Sequence, residues 1–247
     1  MKYLLLVFTF LATPHLVWAD SIVEWEQPTW TTTDGVQLAG FFHPPKTPQK
    51  TTWILLHGLG STQDEWLGFA NRLVGEGYGI LLYDARGHGK STKRASGKTI
   101  DYREFRQVGG DSQWSHMISD LGSATNLLIS RYKISPEKIG LGGASLGANV
   151  VLVYASQTPQ IRSIFLLSPG LEYAGININQ AWNRYGKRPL FIAASPEDAY
   201  AFASVQTLIK TRTDRACRAS VGQAAEHGVA MLHGALFKSL LNWLKGH

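Results

Sequence analysis

The chain has 247 residues, 44% of them apolar and 17% charged, which excludes a disordered or fibrous protein and supplies enough apolar material for a sizeable core. Its net charge is +6, or +5 once Lys2 is removed, but no aromatic-basic interleaving or nucleic-acid-binding module accompanies the excess. Cys217 is the single cysteine, so no intrachain disulfide forms. The length suits one α/β domain, and no internal repeat suggests a solenoid.

Residues 1–19 read as a secretory signal. Lys2 supplies the positive start, Tyr3 to Ala12 the apolar segment, and Val17 and Ala19 the small residues of a cleavage site after Ala19. An uncleaved anchor is the alternative, disfavoured because Pro14 and His15 interrupt the run. The expectation is an exported protein, secreted or periplasmic, with no stable membrane anchor and with residues 20–247 as one domain. "TWTTTDGVQLAGFFHPP" then reads as a hairpin turning on the two residues Asp34-Gly35. "TTWILLHG" and "GYGILLYDARGHG" are continuous apolar runs, as buried parallel strands are, with a helical segment between them from Gln63 to Glu76. A stripe of Met117, Leu121, Ala124, Leu127 and Leu128 marks a helix. Further on, "KIGLGGAS", "IRSIFLLSPG", "PLFIAASPED" and "RACRASVG" read as strands. "LGANVVLVYAS", "AYAFASVQTLIKTR" and "MLHGALFKSLLNWLKG" read as helices. The alternation implies a mostly parallel sheet with an N-terminal antiparallel hairpin and helices on both faces. In such a sheet, sites form at the carboxyl ends of strands.

Those ends carry His57-Gly58-Leu59-Gly60, Asp84-Ala85-Arg86-Gly87-His88-Gly89, Gly143-Ala144-Ser145-Leu146-Gly147, Ser195-Pro196-Glu197-Asp198 and Glu226-His227-Gly228. A serine, an acid and a histidine thus follow one another in that order. With its G-x-S-x-G between a strand and a helix, its upstream H-G-x-G and its D-x-R-G-H-G, the chain resembles the α/β-hydrolase superfamily over nearly all of residues 20–247. It looks like a serine esterase or lipase without a large cap.

An abrupt strand-to-helix corner strains its central residue and needs small neighbours, hence Gly143 and Gly147. It lifts the Ser145 hydroxyl clear of the sheet and aims the Leu146 amide at the same space. The resemblance implies Leu59 N–H as a second oxyanion donor, His227 as the base that activates Ser145, and Asp198 as the acid that orients it. Glu197 stays open as the acid and His233, within the closing helix, as the base. His57, Leu171 and Tyr173 are candidate pocket residues, with Ile176 and Trp182 further along the same segment. His57 is also a structural candidate for orienting the oxyanion loop, and His88 for bracing its own.

Decoys are weighed on the same terms. "DARGHGKS" has Asp84 where a phosphate-binding loop needs Gly, and the histidines show no metal-ligand spacing, so neither a nucleotide, a metal nor another cofactor is expected. Cys217 reads as a small buried hydrophobe. Lys90, Lys93, Arg94 and Lys98 are a solvated loop or an attractor of an anionic substrate or surface. About twenty residues, 169–188, are too few for a lid of several helices. A second flap runs from Ser91 to Gly110, with Tyr102, Phe105 and Arg106. The implied activity is cleavage of a small carboxylic ester. A peptidase, thioesterase or acyltransferase would use the same triad, and a non-catalytic envelope protein is the reading outside enzymology.

Overall fold

The computed structural model describes residues 23–212 and 214–247, so the expected signal lies outside the described residues. In chain order the elements are β1 (Thr29–Thr31), β2 (Val36–His43), β3 (Thr52–Leu56), α1 (Leu67–Gly75), β4 (Gly79–Tyr83), β5 (Lys93–Arg94), α2 (Gln113–Ser130), β6 (Ile139–Ala144) and α3 (Leu146–Gln157). They continue as β7 (Ile164–Leu167), β8 (Glu172–Tyr173), β9 (Ile176–Asn177), α4 (Asn179–Tyr185), β10 (Leu190–Ala194), α5 (Ala199–Ile209), β11 (Cys217–Val221) and α6 (Gly234–Leu244).

One nine-stranded sheet runs in the order β1-β2-β4-β3-β6-β7-β10-β11, with β5 paired to β2. The pairs from β4 to β11 are parallel, and β2 is antiparallel to β1, β4 and β5. Side chains alternate between two cores, as the two-residue period of a strand requires. Ile54, Leu56, Leu81, Tyr83, Ile192 and Ala194 face the side covered by α2, α3, α4 and α5. Trp53, Leu55, Ile80, Leu82, Phe191 and Ala193 face α1 and α6. Burial on both faces is what makes these strands continuous apolar runs. Helices thus cover both faces of an α/β-hydrolase fold, as expected.

Three local expectations need correction. The first hairpin turns through residues 33–35, not through two residues: Thr32 N–H reaches Val36 O at 2.8 Å, and Gly35 N–H closes the turn on Thr32 O at 3.0 Å. Gly35 takes φ +85°, the left-handed position a three-residue loop places after its turn. The expected helix over 63–76 is a 3-10 turn, Gln63–Trp66, followed by α1. The closing helix begins at Gly234, so His233 is its N-cap and lies outside the helix.

Between β7 and β10 the chain makes a small excursion: the two-stranded hairpin β8–β9 and the seven-residue helix α4. Buried Asn149 fixes it from α3, its Nδ2 donating to Ile176 O at 2.9 Å and its Oδ1 accepting from Gly170 N–H at 3.2 Å. Across the sheet ends, the loop after the 3-10 turn Tyr102–Glu104 closes on this hairpin. A side chain at Gly175 would collide with the Gly109 backbone.

Candidate active site

β6 ends at Ala144, α3 begins at Leu146, and Ser145 between them takes φ +53° and ψ −121°. A non-glycine residue there is strained, typically by about 1–3 kcal/mol, and its surroundings hold it in place. Its N–H donates to Leu167 O at 2.8 Å. A side chain at Gly143 would collide with the Gly147 carbonyl, and one at Gly147 with the carbonyls of Leu56 and His57. The glycines are therefore needed for close approach of β3, the turn and α3.

Ser145 lines a cavity of about 450 Å³ with Gly58, Leu59, Ser61, Glu65, Ala144, His227, Gly228, Val229 and Ala230. His227 Nδ1 lies 2.6 Å from Asp198 Oδ2, a hydrogen-bonding contact across 29 residues of sequence. Glu197 is exposed, and among the described residues no hydrogen bond joins it to His227. Ser145 Oγ and His227 border the same cavity without a hydrogen bond between them, as in many unliganded sites. His227 is held from behind: Gly228, at φ +61°, donates its N–H to the Ser168 hydroxyl at 3.0 Å. His233 turns away and pairs with Glu226 at 2.6 Å. Leu146 is the first residue of α3, and neither its N–H nor that of Leu59 meets a protein acceptor among the described residues. Both are thus free donors beside Ser145.

The candidate pocket residues separate. His57 does not line the cavity; it is buried under the loop, donating from Nδ1 to Gly58 O at 2.7 Å and accepting at Nε2 from Ala85 N–H at 2.9 Å. Burial lowers its pKa to about 4. Leu171 packs against the core with its amide on Ser204 Oγ, because the chain turns back at β8–β9. Ile176 and Trp182 are buried too, and Trp182 Nε1 donates to Thr211. Tyr173 does not border this cavity either; its hydroxyl donates to Ser168 O at 3.4 Å. Burial raises its phenol pKa, and the nearby Asp198 and Tyr200 add to the rise. His88 accepts from Gly60 N–H at 3.2 Å and stacks on Tyr102 at 4.0 Å, linking the oxyanion loop to the second flap. Burial, then His57, lowers the His88 pKa to about 4.

The basic residues lie elsewhere. Lys90 and Lys93 border a cavity of about 200 Å³ against β1 and β2, Arg94 is tied to Asp34 and Gln113, and Lys98 is exposed. Cys217 is half-buried on the edge strand β11, with burial pushing its thiol pKa up. Three contributors had no clear sequence signal. Ser168 and Asn149 act through backbone contacts formed only on folding, and Glu65, one acid in an amphipathic stretch, resembles an ordinary surface residue.

Residues 47–199 match the sequence profile of the family described as serine aminopeptidase, S33. The chain belongs to this family. The family match spans Ser145 and Asp198 and stops short of His227. Among curated proteins, the uncharacterized protein YfhR of Escherichia coli O157:H7 is 27% identical over 165 residues, 64% of this chain and 50% of that protein. The quorum-quenching protein AidA of Acinetobacter baumannii is 27% identical over 136 residues, 54% of this chain and 40% of its own. The chain spans about half the length of the curated relatives it matches, or less. Among solved structures, the Pyrococcus furiosus esterase Pf2001 superposes with a TM-score of 0.70 at 24% identity, covering 90% of this chain and 91% of its own. A 2,6-dihydroxy-pseudo-oxynicotine hydrolase gives a TM-score of 0.70 at 18% identity, covering 89% and 67%. At these identities the structural likeness is one of fold.

Proposed function

We propose that the chain is an exported serine hydrolase that cleaves carboxylic esters through an acyl-enzyme intermediate. The observation that carries this reading is the 2.6 Å contact of His227 Nδ1 with Asp198 Oδ2 at the cavity bordered by Ser145. With Nδ1–H held by the carboxylate, Nε2 is left as the base. Ser145 Oγ bonds to the ester carbonyl carbon while its proton passes to Nε2. The resulting oxyanion accepts from Leu59 and Leu146 N–H, each donor typically contributing about 3 kcal/mol to the transition state. Collapse breaks the ester C–O bond, and the alcohol leaves with the proton from Nε2. Water then repeats the sequence on the acyl-enzyme, releasing the carboxylic acid and restoring Ser145.

The small excursion formed by β8–β9 and α4 favours short or bulky soluble esters over long lipids, since it is the only insertion between β7 and β10 and is not a multi-helix lid. The family's description makes amide cleavage the second reading. Thioester cleavage and acyl transfer would follow the same steps with another leaving group or acceptor, whereas a binding protein would turn over none. A panel of p-nitrophenyl acetate, butyrate and laurate with aminoacyl p-nitroanilides separates these. The expected order of kcat/KM is acetate or butyrate above laurate, with anilides lowest; anilides above esters would assign a peptidase.

Export is proposed from residues 1–19. Expressed with its leader in a bacterium, the protein is expected outside the cytoplasm with Asp20 as its first residue; a cytoplasmic chain retaining residues 1–19 contradicts this. Because Lys90 and Lys93 border a separate cavity, an anionic partner of the basic strip is proposed as a surface and not as the substrate.

A further inference from the structure

The cavity beside Ser145 carries one acid that the reaction above does not use. Glu65 lies in the 3-10 turn Gln63–Trp66, between two buried residues that anchor the turn. Its Oε1 accepts from Gly58 N–H at 3.0 Å, so the loop after β3 itself holds the carboxylate. Besides His227, Glu65 is the one titratable residue lining the cavity; Leu59, Ala144, Val229 and Ala230 make much of the rest apolar. Among the described residues no ion pair neutralises it. Burial raises its pKa, which reflects the cost of keeping a charge there.

A carboxylate accepts about four hydrogen bonds or close cations, and one protein donor, Gly58 N–H, is in place here. A hydrocarbon group entering the cavity would cover the charge and return nothing for its lost hydration. An anionic group would be repelled. An organic ammonium would neutralise it at short range, where partial exclusion of water strengthens the attraction. The chain is cationic overall, yet its catalytic cavity is acidic on this side.

We propose that Glu65 is a specificity-determining residue that selects substrates carrying an ammonium group on the part of the molecule that enters this cavity. The inference rests on the ester-hydrolase reading for its kinetic form, but not for its binding form. Two isosteric pairs test which side of the ester enters: p-nitrophenyl 4-(trimethylammonio)butyrate against p-nitrophenyl 5,5-dimethylhexanoate, and choline butyrate against 3,3-dimethylbutyl butyrate. The natural enzyme is expected to favour the cationic member of one pair by about tenfold in kcat/KM. Glu65→Gln, which keeps an oxygen for Gly58 N–H, should bring that ratio close to one, and Glu65→Asp should retain part of it. The ratio is independent of any general loss of rate. Calorimetric binding of choline and of 3,3-dimethylbutanol gives the same comparison without turnover. If no ester is hydrolysed but choline binds about tenfold tighter than its neutral isostere only when Glu65 is present, the ester reading falls and the assignment of Glu65 stands. Equal handling of both members by the natural protein, or a preference that persists in Glu65→Gln, overturns the assignment.

Discussion

At the scale of single residues, Ser145 and Asp198 show how local geometry separates neighbours of similar chemistry. Ser145 and Ser168 both take positive φ, but Ser145 does so at the start of a helix, with its side chain on the cavity wall. Asp198 differs from Glu197 because the turn that Asp198 N–H closes on Ser195 O at 3.0 Å leaves Glu197 exposed, and Asp198 is the one 2.6 Å from His227. Replacing Asp198 by Asn should therefore lower kcat by about 10²- to 10⁴-fold, through a misassigned imidazole tautomer and a destabilised imidazolium. Glu197→Gln should stay within about twofold of the natural enzyme. Steady-state kinetics on both variants checks the assignment, and the reverse pattern would make Glu197 the acid.

At the scale of elements, the loop after β3 is braced by two neutral histidines. His57 and His88 each accept a backbone N–H at Nε2, which fixes Nδ1 as the protonated nitrogen. Protonation would place an N–H against an N–H. Burial holds both pKa values near 4, below the ordinary value of 6.5 that the unfolded chain restores. Between these values the unfolded state binds more protons than the folded one, so stability rises with pH across that window. Their contribution is fully present above about pH 6.5 and is lost as pH falls toward 4. For His57 alone the change is on the order of 3 kcal/mol. Urea denaturation at pH 7 and pH 4.5 should show the loss, and His88→Asn should flatten part of the dependence. A midpoint that does not move between these pH values would contradict the neutral pair.

Elements also differ in how far their sequence reveals them. Trp53–Leu56 and Leu190–Ala194 are legible because burial on both faces demands unbroken apolar runs. The hairpin β8–β9 is not, because strands of two residues carry no period. Its signal was the pair Ala174-Gly175, both at positive φ as a tight hairpin turn requires. The turn back sends Leu171, Ile176 and Trp182 into the core, while the Tyr173 hydroxyl donates to Ser168 O. Glu65 and Ser168 were hidden for another reason: their roles depend on Gly58 and Gly228, which approach them only in the folded sheet.

For the whole molecule, the strand order brings four distant segments to one end of the sheet. β3 delivers Leu59, β6 delivers Ser145, and the ends of β10 and β11 deliver Asp198 and His227. Parallel strands place their carboxyl ends together, which is why the order of motifs along the chain already indicated a shared site. Net charge is a property of the same scale and points the other way from the cavity: the basic strip lies against β1, β2 and β5, apart from the acid-lined pocket. The most direct test of the central claim is labelling of the purified protein by a fluorophosphonate, read by peptide mass spectrometry alongside p-nitrophenyl butyrate turnover. A single adduct on Ser145, with loss of both labelling and turnover in Ser145→Ala, is the predicted result. Ester turnover that survives in Ser145→Ala, or an adduct on another residue, would contradict it.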